Sequence, residues 1–308
     1  MNAMLEFVSK MGPAMLYVGL GYCVRLFTPL KQRAVANFLF YGLVPVIVFR
    51  GAAFSDIAKF SGIALFSFAF GGACAMASYP LRATFVKHIK PGMLMSLFSC
   101  FNIGWFGIPL VLAVLGEDAA RVMTALYVGG TLYGNTVGYV LASDTAPTVR
   151  QVIRKLASIP ALYGFAAALA IQPFAGFMQA VAHSRSMMAL FDIAALLTSL
   201  CGMGLVGMSM VGVNARSYLA PVAKLLGLRL VVTSTLIVAS LLLSLLVPAT
   251  TQLDRHVVAM LPCLPIAANL LVFVSKKHEE AHFVGFTLFA STLLSFLLLP
   301  LVFFLQYG

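Results

Sequence analysis

Acidic side chains are scarce in this chain. Nine Asp and Glu are spread over 308 residues, and charged residues of both signs make up only 9% of the sequence. A soluble domain carries roughly a quarter charged residues, so a chain that faces water all round is excluded. Hydrophobic residues make up 61% and the mean hydropathy is +1.00, which places the sequence among integral membrane proteins. Catalytic signatures are missing too: no GxSxG, HExxH, Walker loop or dinucleotide fingerprint occurs, and an enzyme is not expected. The five cysteines, Cys23, Cys74, Cys100, Cys201 and Cys263, sit in apolar runs without CxxC or metal-type spacing and are expected to act as small hydrophobes. His88, His183, His256, His278 and His282 fall in loops or at the edges of apolar runs, so neither a metal nor a cofactor is expected. The net charge of +11 comes from single and paired Lys and Arg between apolar runs, without a dense basic patch. That pattern fits cytoplasmic loops beside a lipid bilayer and excludes nucleic acid as a partner.

What is present is a succession of apolar runs. A helical span needs about 20 mostly apolar residues, and that window gives ten, at roughly 11–30, 34–50, 60–81, 92–115, 120–143, 156–181, 187–213, 219–247, 256–275 and 283–305. The second is the shortest, ending before Arg50. The first continues past Arg25 without a small-residue cleavage pattern and is read as a span rather than a signal peptide. With the N-terminus outside, the inner loops hold twelve Lys and Arg, among them Arg150, Arg154, Lys155, Arg216, Lys276 and Lys277, and the outer segments hold six. Positive loops stay in the cytoplasm, so both termini are expected on the external side of the plasma membrane. The ten spans divide at the charged stretch 144–155 into halves of five, 1–143 and 156–308. An odd number per half makes the two enter the membrane in opposite senses, the arrangement of inverted transporter repeats. The expected fold is therefore an all-α membrane protein of ten transmembrane helices in two inverted five-helix repeats.

Two of these spans carry residues that helices avoid. The fourth contains FNIGWFGIPL, with Asn102, Gly104, Gly107 and Pro109; the ninth, MLPCLPIAANLLVFVS, contains Pro262, Pro265 and Asn269. A proline inside a helix removes a donor and clashes with the carbonyl four residues back. In hydrocarbon the freed groups find no water, so unwound backbone survives only when it is buried in protein or lines a wet cavity. Paired interruptions in equivalent spans point to a transport site, and the half-helix that follows a break offers unpaired N–H groups and partial positive charge to an anion such as a carboxylate. In the fifth span, GGTLYGNTVGYV spaces Gly130, Gly134 and Gly138 four apart, a small face for close packing. Beside it, Thr131 and Asn135 either reach the polar chamber or hydrogen-bond between helices. Asp192 is the one carboxylate inside an expected span, and either couples a proton or cation or pairs near the outer surface. Arg25 and Arg229 are expected to snorkel to the cytoplasmic interface.

FNIGWFGIPL resembles the Asn-x-Gly-x-x-Gly-Ile-Pro-Leu signature of the auxin efflux carrier family, which includes bacterial malonate and malate permeases and the plant auxin carriers. The stretch from LPCLPIAANLLVFVSKKHEE to STLLSFLLLPLVFF is similar to that family's last two spans, and FYGLVPVIVF to its second. The resemblance covers the whole chain. It implies a ten-span inverted-repeat fold shared with bile-acid symporters, in which spans four and nine cross at their unwound centres and one bundle moves against a scaffold. It also implies a homodimer and small organic anions as substrates, with Asn102, Gly104, Gly107 and Pro109 in one crossing element and Pro262 and Pro265 in the other. The expected function is a secondary transporter working by alternating access on a mono- or dicarboxylate. A sodium-coupled symporter of the same fold, or a membrane ligand sensor without transport, are the alternatives, and Na+ or H+ coupling stays open.

Overall fold

The structure is a computed structural model that describes residues 2–143, 147–209, 211, 218–245, 250–273 and 278–307. Asp144, Arg216, Lys276 and Lys277, expected in cytoplasmic loops, lie outside the described residues. Within them the chain is helical throughout, and the one β-type pairing is an isolated antiparallel bridge between Phe101 and Ile266. The helices are α1 (Asn2–Phe27), α2 (Gln32–Ala53), α3 (Ile57–Phe85), α4 (Pro91–Ser99), α5 (Ile103–Leu115), α6 (Glu117–Asn135), α7 (Val137–Ala142), α8 (Val149–Ala157), α9 (Pro160–Ile171), α10 (Ala175–His183), α11 (Arg185–Ser209), α12 (Leu219–Ser244), α13 (Gln252–Ala259) and α14 (His278–Tyr307).

Five of these, α2, α3, α11, α12 and α14, are long and apolar enough to cross a membrane. Their outward faces carry large apolar side chains such as Leu65 (69% exposed), Met76, Val231 and Leu297. An apolar surface of this extent is a surface for lipid rather than water. The sequence places ten uninterrupted or once-broken spans here, whereas several expected spans are divided into shorter pieces. Residues 92–115 part at 100–102, between α4 and α5; 120–143 part at Thr136, whose backbone leaves the helical region (φ −113°, ψ −87°). Residues 156–181 become α9 and α10, because Pro160 sits in the first turn of one and Pro173 stands just before the other. The α8–α9 junction bends by 61°. In the ninth stretch, α13 gives way to short 3-10 turns at Leu261–Cys263 and Ala268–Phe273.

Local chemistry explains where helices start and widen. Asp56 accepts the Lys59 N–H at 2.7 Å and opens α3, while Thr148 with Gln151 and Thr251 with Asp254 form reciprocal capping boxes at α8 and α13. Wide π-type turns at Phe38–Leu43 and Ile103–Gly107 each end two residues before a proline, Pro45 and Pro109. Proline neither donates a backbone bond nor tolerates the carbonyl four residues back, and a wider turn accommodates both constraints without ending the helix.

The helices associate in two groups. α1 lies along α11 and α2 along α9; α3 lies along α6 and α4, with α12 against α3 and α14 against α12. The groups meet where α2 touches α6, where α1 touches α14 and α5, and where α11 touches α14 and α5 with its wide turn at Ile103–Gly107. Close backbone approaches inside the second group occur at Gly129 and Gly92, where an added Cβ would strike the backbone carbonyls of Ala64 and Leu141. The four-residue glycine series expected to pack here sits one residue beyond Gly129. Gly130 faces Ile103, where an added Cβ would stand 3.3 Å from Cδ1, while Gly134 and Gly138 face Cys100 at 4.0 and 3.5 Å.

Candidate functional site

At the break in the fourth stretch, α4 ends at Ser99 and the chain runs extended through Cys100 (φ −102°, ψ 117°) before α5 begins. The ninth stretch is likewise extended at Leu264 (φ −70°, ψ 146°). The two unwound pieces satisfy each other: the Asn102 N–H donates to the Pro265 carbonyl at 2.8 Å, and the Ala267 N–H donates to the Cys100 carbonyl at 3.1 Å. Between them, the Ile266 N–H donates to the buried Ser291 hydroxyl of α14 at 3.1 Å. The Asn102 carbonyl accepts from the Gly107 N–H at 3.1 Å, closing the wide turn. Several of the backbone groups freed by both breaks are thus paired inside the protein, as an apolar medium requires.

One wall of a cavity of about 340 Å³ is this crossing. Asn102, Gly104 and Trp105 line it from the first break, Asn269 from the second, and Tyr127, Thr131 and Asn135 from α6. Asn102 is 5% exposed, while Asn269 is exposed to the hollow. The Asn135 amide donates to its own helix at the Thr131 carbonyl, 2.9 Å away, and the residue faces the cavity. First-turn N–H groups of a helix have no intrahelical acceptor, and here that turn includes Gly104 and Trp105, both at the cavity wall. At the α8–α9 corner the cavity reaches Lys155, whose Nζ lies 4.0 Å from the centre of the Tyr139 ring, and Ser158. Among the described residues lining it there is one cation and no carboxylate. The arrangement offers amide groups, backbone N–H groups and a positive charge to a small anion, with Phe40, Tyr41, Phe101, Trp105 and Tyr127 as apolar walls.

Not every residue singled out in the sequence is at this wall. Gly107 is buried against Met123 and Leu264, and Pro109 borders a separate hollow of about 40 Å³ beside Arg50. Pro265 contributes its carbonyl to the crossing, and Pro262 lines a hollow of about 10 Å³ that Arg229 and Leu264 also border. Asp192 does not line the crossing cavity: it pairs at 3.0 Å with Arg50, the residue beside the Pro109 hollow, and Arg50 also holds Glu117 at 2.6 Å. Among the described residues no group of His, Cys, Asp and Glu is arranged to hold a metal ion.

A second large hollow, about 500 Å³, is lined by Lys59, Asp118, Arg121 and Asp254. It borders the first half of α6, through Ala125, whereas the crossing cavity borders the second half from Tyr127. The α6 residues that line the two hollows are centred about 15 Å apart along the helix at 1.5 Å per residue, and fully buried Leu126 falls between them.

Two site residues escape the sequence reading. Lys155 counts there only as a loop charge. Arg229, expected to snorkel, is 4% exposed. Its Nε donates to the Leu97 carbonyl at 3.1 Å and its Nη1 to the Leu264 carbonyl at 3.3 Å, so it joins the two broken stretches rather than reaching for the interface. Arg25, by contrast, is exposed at the end of α1. The chain matches no model of a known protein family, and no curated protein matches it.

Proposed function

We propose that this chain is a secondary carrier of a small organic anion, working by alternating access around the crossing of the fourth and ninth stretches. On this reading the chain has ten spans in two inverted five-helix repeats, as in the auxin efflux carrier family that its motifs resemble, with its termini on the external side and a second copy as its partner. The observation that carries the proposal is the Phe101–Ile266 bridge, which places unwound backbone from both halves in the wall of a cavity that holds three Asn residues, one Lys and no described carboxylate. Unwound helices crossing at a polar chamber are the binding architecture of inverted-repeat transporters. The two hollows at opposite ends of α6, with fully buried Leu126 between the α6 residues that line them, support alternating access, in which the crossing cavity reaches towards the Lys155 side.

In this scheme the substrate carboxylate takes the Asn102 amide and the first-turn N–H groups of α5, and Lys155 gathers anions at the cytoplasmic mouth. Flux of acetate, benzoate, malonate and malate into proteoliposomes tests it, with Asn102→Ala as the variant. Losing one buried hydrogen bond to a charged group costs about 1.5–3 kcal/mol, or roughly 10- to 150-fold in affinity. The variant is expected to stay folded and to lose flux of the transported anion by about that factor. Unchanged flux removes Asn102 from the site. Absence of flux for every anion in the wild type, together with anion-induced stabilisation, replaces the carrier with a ligand sensor.

A further inference from the structure

Arg229 stands ten residues into the 26-residue α12, about 15 Å from its start at 1.5 Å per residue, where a membrane helix has no nearby water to reach. Burying a charge there costs several kcal/mol unless its donors are satisfied. No carboxylate pairs with it among the described residues. Its partners are two carbonyls and a ring: Leu97 in the last turn of α4, Leu264 just beyond the 3-10 turn that follows α13, and Phe101, whose ring centre is 4.7 Å from the guanidinium carbon. Nη2 has no hydrogen-bond partner among the described residues.

These partners have one property in common. A carbonyl at the end of a broken helix carries the partial negative charge of the helix C-terminus, and unwound carbonyls from two crossing stretches are the ligands with which carriers of this architecture hold a coupling cation. Here both carbonyls are already taken by a cation that belongs to the protein. The adjoining hollow, lined by Ser291 and Ser295 of α14, has a volume of about 10 Å³. That is room for one water and not for a carboxylate, so Arg229 is not itself a substrate ligand.

We propose that Arg229 is a built-in replacement for a coupling cation: its guanidinium fills the carbonyl site at the crossing, so that the anion cavity is assembled in the absence of Na+. The word coupling rests on the carrier reading, but the occupied cation site does not, and it is tested without any substrate. Purified protein in detergent is unfolded thermally in choline chloride and then in NaCl, LiCl or KCl at constant ionic strength. The wild type is expected to melt within about a degree in all four. Arg229→Ala, which vacates the site, is expected to melt lower and to recover by several degrees with Na+ or with millimolar guanidinium, saturably, since a ligand that binds only the folded state raises its melting point. Arg229→Lys, whose ammonium still fills the site, is expected to ignore the choice of salt.

A specific rise with Na+ in the wild type overturns the proposal, and so does an Arg229→Ala protein that folds yet responds to no cation, because an arginine used only for packing leaves no cation site behind. If Arg229→Ala yields no folded protein, Arg229→Gln takes its place with the same two outcomes. The same salts outside and inside proteoliposomes complete the test: anion flux with choline equal to that with Na+ is expected, and flux that requires Na+ overturns the inference while leaving the carrier intact. A wild type that moves no anion ends the carrier reading without altering the melting result.

Discussion

Gly104→Ala puts one methyl group between the fourth stretch and α6, and the surroundings set its effect. A Cβ at Gly104 would overlap Cε2 of Tyr127 and stand 2.8 Å from Cδ2 and 3.1 Å from Cζ of the same ring. Carbon atoms prefer about 3.5–4.0 Å, so the ring must retreat by roughly 1 Å. Tyr127 borders the 340 Å³ cavity, and that hollow is the open side into which it moves. The stability cost therefore lies at the low end of the ~1–3 kcal/mol typical of overpacking, while the ring narrows the cavity beside Asn102 and Thr131. Two other glycines calibrate the experiment. At Gly129 a Cβ would meet the Ala64 carbonyl, which is backbone and cannot swing away; at Gly62 nothing lies within 4 Å. Thermal unfolding of the three alanine variants, with flux in proteoliposomes, is the assay. Gly62→Ala is expected to match the wild type or gain up to ~1 kcal/mol from better helix propensity, Gly129→Ala to yield little folded protein, and Gly104→Ala to fold but to lose tenfold or more in flux. Wild-type flux from Gly104→Ala refutes the cavity as the route. A Gly104→Ala protein as damaged as Gly129→Ala refutes the account of a ring with room to move.

Other parts of the molecule make equally definite demands. Lys155→Gln is expected to weaken anion uptake several-fold and Lys155→Arg to preserve it; equal flux from both denies the cation at the cavity mouth a role. Asp192→Asn removes one of two carboxylates from Arg50, and because Asp192 is 66% exposed and Glu117 remains, the melting cost is expected below about 1 kcal/mol with flux unchanged. A folded Asp192→Asn protein without flux would favour the coupling role, one of the two that the sequence leaves open for Asp192. Lys59 pairs at 2.9 Å with Asp254, which is 4% exposed and whose Oδ1 has no partner among the described residues. Lys59→Met strands that carboxylate, whereas Asp254→Asn keeps an oxygen for the Thr251 N–H of the capping box. The first is expected to lower stability by about 1–3 kcal/mol and the second by less, and unfolding curves in the reverse order would contradict the pairing.

The breaks were legible in the sequence because their signal is local. Pro within an apolar run stops or widens a helix, and Asn and Gly clustered beside it mark the break. Asn102, Gly104, Thr131, Asn135 and Asn269 do line one cavity. The turn at Thr136 and the corner before Pro160 leave weaker traces, since a β-branched residue or a first-turn proline is compatible with an unbroken helix or a new one. Arg229 was misjudged for a different reason. Its partners are backbone carbonyls 132 and 35 residues away, and a carbonyl has no residue type by which a motif could announce it. Lys155 reads as a loop cation because only the 61° bend between α8 and α9 brings it to the cavity.

On the carrier reading proposed above, the crossing also decides which parts of the chain travel together. The Phe101–Ile266 bridge ties α4 and α5 to the ninth stretch, Ser291 ties the bridge to α14, and Arg229 ties both breaks to α12. Each buried backbone group left unpaired costs about 1–3 kcal/mol, so a motion that sheared this junction would expose several such groups at once and be too improbable to serve transport. The contacts between the two helix groups, α2 on α6, α1 on α14 and α5, and α11 on α5 and α14, include no backbone–backbone hydrogen bond among the described residues, and the Arg50–Glu117 pair crosses the same seam near the first turn of α6. Movement is therefore expected to slide α1, α2, α9 and α11 past a body that keeps the crossing intact, and to break Arg50 from Glu117 while leaving Arg50 with Asp192, its partner within its own group. A disulfide engineered across that seam should stop flux reversibly, and one placed within either group should not.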